Sequence, residues 1–178
     1  MYDVSVIMPV YNIQRYPAGW VERAISSVLE HQRDIKVQLC IGDDASTDDT
    51  RSILERLAGK NSNIQAAYAR TNTGGCDACN HAASMADGKY FILLSCRSWY
   101  EPDCLTRMAE YLDRNPDIGF VYGNTRFHGN VNRLKTAPEF SREIFCHTFA
   151  SSFGYMFRRQ AWDAGSRYDC TIWIPEEK

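Results

Sequence analysis

Apolar positions along this chain switch repeatedly between two periods. Val4-Ser5-Val6-Ile7-Met8-Pro9-Val10 is short, β-branched and apolar, the pattern of a strand buried on both faces. Val21, Ile25, Val28 and Leu29 then recur at helical spacing, with Trp20 and Ala24 widening that face. Val37, Leu39 and Ile41 alternate as a second strand that ends at Gly42-Asp43-Asp44. Ser46 and Asp49 have the spacing of a capping pair, which predicts a helix through Ile53, Leu54 and Leu57 to a stop at Gly59. Ile64 to Tyr68 reads as a third strand, and Ala78, Ala82, Met85 and Ala86 as a small-residue helix face closed by Gly88. Tyr90 to Leu94 is a fourth strand. Pro102 suits the first position of a helix carrying Leu105, Met108, Ala109 and Leu112, which Asn115-Pro116 ends. Phe120-Val121-Tyr122 is a fifth strand. Past Gly123 the pattern weakens: Phe127, Val131 and Leu134 read as a hairpin around Gly129-Asn130, and Tyr155-Met156-Phe157 as a core strand.

Strands alternating with helices predict an α/β fold, three layers deep, around a mainly parallel sheet with right-handed crossovers. With 178 residues, no internal repeat and no clear linker, one domain over 1–178 is the economical expectation. The chain is 44% hydrophobic and 24% charged, the balance of a folded globular protein. A net charge of −2 gives no general attraction to nucleic acid or anionic lipid, so neither is an expected partner. Apolar runs such as Phe91-Ile92-Leu93-Leu94 fall far short of the ~20 residues of a membrane span. Asp3 and Pro9 stand where a signal peptide wants a basic start and an unbroken apolar run. A cytoplasmic location is therefore expected, alone or as part of something larger. Seven cysteines, an odd number scattered among strands and helices, fit free thiols in a reducing compartment. Cys76 and Cys79, with His81 behind them, lack a second ligand pair for zinc and read as helix-start residues rather than a redox dithiol.

In open parallel sheets, ligands bind outside the carboxyl ends of the strands. Pro9-Val10-Tyr11-Asn12, Asp43-Asp44-Ala45-Ser46 and Ser95-Cys96-Arg97-Ser98 all fall there. Tyr11 offers a ring on which a base could stack, and Asp43 or Asp44 a carboxylate for a uracil or guanine N–H. The same residues also admit a plain reading in which Asp44 and Ser46 cap the next helix. His31, His81 and His128 read as isolated polar residues, His147 stands ahead of the Tyr155-Met156-Phe157 strand, and Trp162 and Trp173 read as packing residues.

Taken in order, these segments resemble the family-two glycosyltransferases. Val4 to Asn12, then Ile41-Gly42-Asp43-Asp44-Ala45-Ser46-Thr47-Asp48, look like that family's opening. Asn72-Thr73-Gly74-Gly75 with Asn80, then Ala86 to Leu94, continue the match, and Trp99-Tyr100-Glu101-Pro102 resembles the stretch after its metal motif. Met156-Phe157-Arg158-Arg159 and Gly165-Ser166-Arg167-Tyr168-Asp169 resemble its acceptor-side signature. The resemblance implies a Rossmann-like GT-A fold that passes a sugar from a nucleotide-diphosphate sugar, UDP-sugar first among them, to an acceptor hydroxyl with inversion. It implies a nucleotide-binding half over 1–123 and the start of an acceptor-side half over 124–178. It also puts Pro9, Tyr11 and Asp44 in the nucleoside pocket, Asp44 nearest the base and Asp43 beside it. Asn72, Gly74 and Asn80 would shape the loop and helix start next to the donor.

Three departures qualify the resemblance. Where the family places a carboxylate pair to hold Mg2+ or Mn2+, this chain has Ser95, Cys96, Arg97 and Ser98, so no metal ligand set is expected. Arg97 offers instead a guanidinium able to grip phosphate oxygens. The arginine common before the third motif's asparagine is Cys79 here. The acidic pair that would, by the resemblance, supply the catalytic base is Glu176-Glu177, with Glu177 where Asp is usual, and its extra methylene moves the carboxylate by more than ~1 Å. The sequence stops at Lys178, where the family continues into a helix, so a truncated or divergent member is expected, with any membrane association left to regions outside it. Two functions follow from these residues: a transferase that manages without the usual metal, or a nucleotide-sugar-binding module that has lost turnover. A dinucleotide oxidoreductase is disfavoured, because no Gly-x-Gly-x-x-Gly follows the first strand.

Overall fold

The computed structural model describes residues 1–141, 154–165 and 167–169. Its centre is a six-stranded sheet in the order β3-β2-β1-β4-β8-β5. The strands β1 (Val4–Val10), β2 (Val37–Asp43), β3 (Ile64–Tyr68) and β4 (Tyr90–Leu93) are parallel neighbours, in register from Val4↔Val37 and Val4↔Tyr90. β5 (Phe120–Tyr122) does not touch β4. Between them lies β8 (Tyr155–Arg158), antiparallel to both. The sheet is thus mainly parallel, as its alternating pattern predicts, with one reversed strand supplied by the far end of the chain. The hairpin is also present, as β6 (Thr125–Phe127) paired with β7 (Arg133–Lys135).

Strand alternation decides which helices cover which face. Val4, Val6, Met8 and Val10 join Leu39, Ile41 and Ile92 in one buried cluster with residues of α1 (Trp20–Leu29), α2 (Thr50–Lys60) and α4 (Cys104–Arg114). Ile7, Cys40, Phe91 and Leu93 face the other way, against α3 (Gly75–Ser84) and Trp162 of α5 (Arg159–Asp163). Phe91 meets Phe157 edge-on at 5.9 Å and Trp162 at 6.1 Å, which seats β8 and α5 on this second face. Burial also pushes the Cys40 thiol up to about 12, so this cysteine packs as an inert apolar group.

Two glycines permit close approaches. A Cβ on Gly42 of β2 would lie 2.0 Å from the Ala78 carbonyl oxygen of α3. A Cβ on Gly88 would lie 2.6 Å from the Ser5 backbone nitrogen; Gly88 N–H donates to Ser5 Oγ, which donates in turn to Gln38 Oε1 at 2.6 Å. This buried pair also takes the Asp87 N–H, fastening the turn before β4 to the amino ends of β1 and β2.

Four helix boundaries differ from the sequence expectation; one is the end of α3, which stops at Ser84, short of Met85 and Ala86. α2 begins at Thr50, and Ser46 does not cap it: its hydroxyl accepts the Asn12 N–H and bonds Asp43. This helix also runs one residue past Gly59, to Lys60. α4 begins at Cys104 rather than Pro102, because Asp103 has a left-handed φ of 59° that breaks the helical path. Arg33 holds Asp103 through Nε at 3.1 Å and Nη2 at 2.5 Å, while the Asp103 N–H donates to the His31 carbonyl. At the other end of α4, Arg158 of β8 donates to the carbonyls of Leu112, Asn115 and Ile118 at 2.7, 2.9 and 2.8 Å. Leu112 and Asn115 lie at the C-terminal end of α4 and Ile118 in the turn beyond it, so Arg158 ties β8 to the end of that helix and to the segment that follows.

Candidate nucleotide site at the carboxyl edge

β2, β1 and β4 are adjacent and parallel, so the segments that follow them emerge side by side. Tyr11 after β1, Asp44 after β2 and Arg97 after β4 accordingly share one edge of the sheet. Pro9 is tolerated inside β1 because the β1–β4 pairing ends at Ile7↔Leu93, before the missing N–H would matter. It lies opposite Gly42.

The segment after β1 turns sharply at Asn12, whose φ is 48°, into a single 3-10 turn, Ile13–Arg15. That turn is fastened to the loop between β2 and α2. Asn12 N–H donates to Ser46 Oγ at 2.8 Å, Ile13 N–H to Thr50 Oγ1 at 2.9 Å, and Gln14 N–H to Asp48 Oδ2 at 3.1 Å. In return Thr47 N–H donates to Asn12 Oδ1 at 2.8 Å. The Ser46 and Thr50 hydroxyls donate hydrogen bonds in turn to Asp43 and Asp48. Burial pushes the Asp48 carboxyl up, but hydrogen bonds from the Thr50 hydroxyl and the Thr50 and Gln14 amides outweigh it, and the group sits below the ordinary carboxylate range. Asp43 is 3% exposed and serves this loop, accepting the Ser46 N–H at 3.3 Å.

Asp44 is 4% exposed and serves a different loop. Oδ1 accepts the Thr73 N–H and Oδ2 the Gly74 N–H, both at 2.9 Å, while its backbone carbonyl accepts from Asn72 Nδ2 at 3.1 Å. Gly74 stands at the head of α3 with φ of 103°, a conformation few residues but glycine adopt. Asp44, Asn72 and Gly74 are therefore brought together as one bonded unit, and Asp44 does not cap α2. Asn80, further along α3, pairs with the Tyr168 backbone: Nδ2 donates to its carbonyl at 2.9 Å and Oδ1 accepts its N–H at 3.0 Å. Asn80 thus links α3 to the segment that follows α5.

After β4 the chain bends through Ser95 to Ser98, with the Ser98 N–H donating to the Ser95 carbonyl at 2.9 Å. Cys96 points inward at 5% exposure, and burial pushes its thiol up, with the Tyr16 hydroxyl, Arg97 and Arg15 drawing it partly back. Arg97 is exposed. The set offers two hydroxyls, a protonated thiol and a guanidinium, none of which suits a hard divalent cation. Among the described residues no group of three His, Cys, Asp or Glu stands where it could hold a metal. The residues present do not fit the Mg2+ or Mn2+ implied by the resemblance.

Arg15 and Tyr16 belong to this site and escape the sequence reading. Arg15 lies 5.5 Å from the Tyr11 ring centre and 5.1 Å from that of Tyr16, and donates to the Tyr16 hydroxyl at 2.9 Å. Arg97 approaches the same Tyr16 ring at 5.8 Å. No apolar period marks these positions; only the left-handed turn at Asn12 swings them onto the edge. Glu176, Glu177, His147 and Trp173 lie outside the described residues. Cys76, Cys40, Cys96 and Cys104 are free thiols, and Cys79 is buried in α3. Trp162 packs in the core, as expected.

The family model described as glycosyl transferase family 2 matches residues 5–173. The chondroitin synthase of Pasteurella multocida (strain Pm70) is 30% identical over 166 residues, spanning 89% of this chain and 16% of that protein. The putative teichuronic acid biosynthesis glycosyltransferase TuaG of Bacillus subtilis (strain 168) is 34% identical over 109 residues, 61% of this chain and 41% of its own. Among solved structures, S. aureus TarS 1-349 in complex with UDP superposes with a TM-score of 0.76 at 22% identity, covering 96% of this chain and 51% of that one. The chain therefore spans about a sixth of the chondroitin synthase and about half of the TarS chain it matches.

Proposed function

Because the chain belongs to glycosyl transferase family 2, we propose that its carboxyl edge binds a nucleotide-diphosphate sugar, UDP-sugar foremost, and passes the sugar to an acceptor hydroxyl with inversion. The observation that carries this reading is the gathering of Tyr11, Asp44 and Arg97 at the ends of three adjacent parallel strands. The TarS complexes with UDP and with UDP-GlcNAc support the choice of UDP. Pro9 and Tyr11 line the nucleoside side, with Asp43 and Asp44 fixing the loops around it. Residues 1–123 act as the nucleotide-binding half of one domain, 1–178, and residues 124–178 begin the acceptor-side half. The resemblance gives the base role to Glu177, with Glu176 beside it. Among the described residues no helix is long and apolar enough to cross a membrane; the proposal places the domain in the cytoplasm.

A second reading is a nucleotide-sugar-binding module without turnover. The missing carboxylates at 95–98 favour it, since a catalytic metal supplies several kcal/mol of charge stabilisation. Donor hydrolysis and binding measured together, with EDTA and with Mn2+, separate the two. The transferase reading expects UDP-sugar to bind and to be hydrolysed in EDTA. Binding without turnover under every metal condition supports the module, and failure of UDP- and GDP-sugars to bind contradicts both.

A further inference from the structure

Tyr11, Arg15, Tyr16 and Arg97 form a continuous strip from the end of β1 to the end of β4. Arg15 lies 5.5 Å from the Tyr11 ring centre and 5.1 Å from that of Tyr16, and Arg97 lies 5.8 Å from the same Tyr16 ring centre. We propose that Arg15 and Arg97 together form a two-guanidinium clamp for the diphosphate of the bound nucleotide, so that binding needs no divalent cation. This rests on the nucleotide-sugar reading above.

Three features support it. The first is charge. Two cations brought to one ring repel each other, and a group carrying two negative charges relieves that repulsion. Among the described residues no carboxylate forms an ion pair with Arg97. The second is preorganisation. The turn bearing Arg15 is anchored through Asn12, Ile13 and Gln14 to Ser46, Thr50 and Asp48, so its backbone is already ordered before a ligand arrives. Less entropy is then lost on binding. The third is chemistry. A guanidinium meets two phosphate oxygens at once through its planar fork, which an ammonium cannot do. The groups on the strip also suit a nucleoside diphosphate: a ring for the base at Tyr11 and two cations for the phosphates. The Ser95-Cys96-Arg97-Ser98 segment thus supplies a positive charge of its own at the place where it cannot hold a metal.

The test is a titration of UDP, UMP and uridine into the wild-type chain and into Arg15→Ala, Arg97→Ala, the double variant, and Arg15→Lys and Arg97→Lys, by NMR and calorimetry in EDTA and again in Mn2+. Each alanine variant is expected to weaken UDP at least tenfold, UMP less and uridine hardly at all. The double variant should lose less than the product of the single losses, because the two groups grip one ligand. The lysine variants should keep the fold, as thermal melts verify, and recover only part of the UDP affinity. Arg15→Ala with an unchanged UDP-to-uridine ratio overturns the clamp while leaving the nucleotide site standing. A tenfold rise in wild-type UDP affinity on adding Mn2+ also overturns it. Failure of the wild type to bind UDP, GDP, uridine or guanosine overturns the nucleotide reading itself, and the clamp with it.

Discussion

Gly42→Ala is expected to destabilise the protein by about 3 kcal/mol or more, at the upper end of overpacking effects. The added methyl would sit 2.0 Å from the Ala78 carbonyl oxygen, 2.8 Å from its carbon and 3.2 Å from its Cα. All three are backbone atoms of α3, so no rotamer change relieves the clash; the helix must lift off the sheet. α3 carries Asn80 and begins at the loop that Asp44 holds, so lifting it should disturb the nucleotide edge as well. Urea unfolding followed by circular dichroism measures the loss. Gly59→Ala is the control, since nothing lies within 4 Å of its methyl and it sits inside α2; that change should be neutral or slightly stabilising. An unchanged midpoint for Gly42→Ala would contradict the close packing of α3 on β2.

Asp44→Ala is expected to weaken nucleotide binding by ~1–3 kcal/mol, because it strips a buried charged acceptor from two amides. The cause differs from a direct base contact alone. Both carboxylate oxygens already hold backbone N–H groups, those of Thr73 and Gly74. Removing them frees the loop ahead of α3 and leaves the Thr73 and Gly74 N–H groups without their side-chain acceptor. Asp44→Asn should do nearly as badly, since its amide keeps one acceptor and turns a donor toward the other N–H. Hydrogen exchange at Thr73 and Gly74, read beside a UDP titration, tests both halves. Retained amide protection in the alanine variant would show that Asp44 does not organise this loop.

Much of the scaffold is legible along the chain. The apolar runs of β1, β2 and β4 and the helical faces of α1 and α4 have periods that tertiary contacts only reinforce. Helix starts are less legible. Ser46 and Asp49 satisfy a capping spacing, yet Ser46 is drawn to the Asn12 amide and Asp43 instead. Pro102 is a good first helical residue, yet Asp103 takes a left-handed φ that Arg33 and the His31 carbonyl hold in place. Both outcomes depend on partners distant in sequence, which no local pattern reports. The insertion of β8 between β4 and β5 is equally non-local. For the site, the parallel-sheet rule by itself places Tyr11, Asp44 and Arg97 at one edge. Arg15 and Tyr16 stayed hidden because a single positive φ at Asn12 decides where they go.

The most direct test of the central claim is a crystal structure of this chain with UDP in the presence of Mn2+. The expected complex has the uracil against Tyr11 beside the Asp44 loop and the diphosphate within hydrogen-bond reach of Arg15 and Arg97, with no cation bridging it to Ser95 through Ser98. UDP seated away from the carboxyl edge of β1, β2 and β4, or a Mn2+ ion joining its phosphates to that segment, would contradict it.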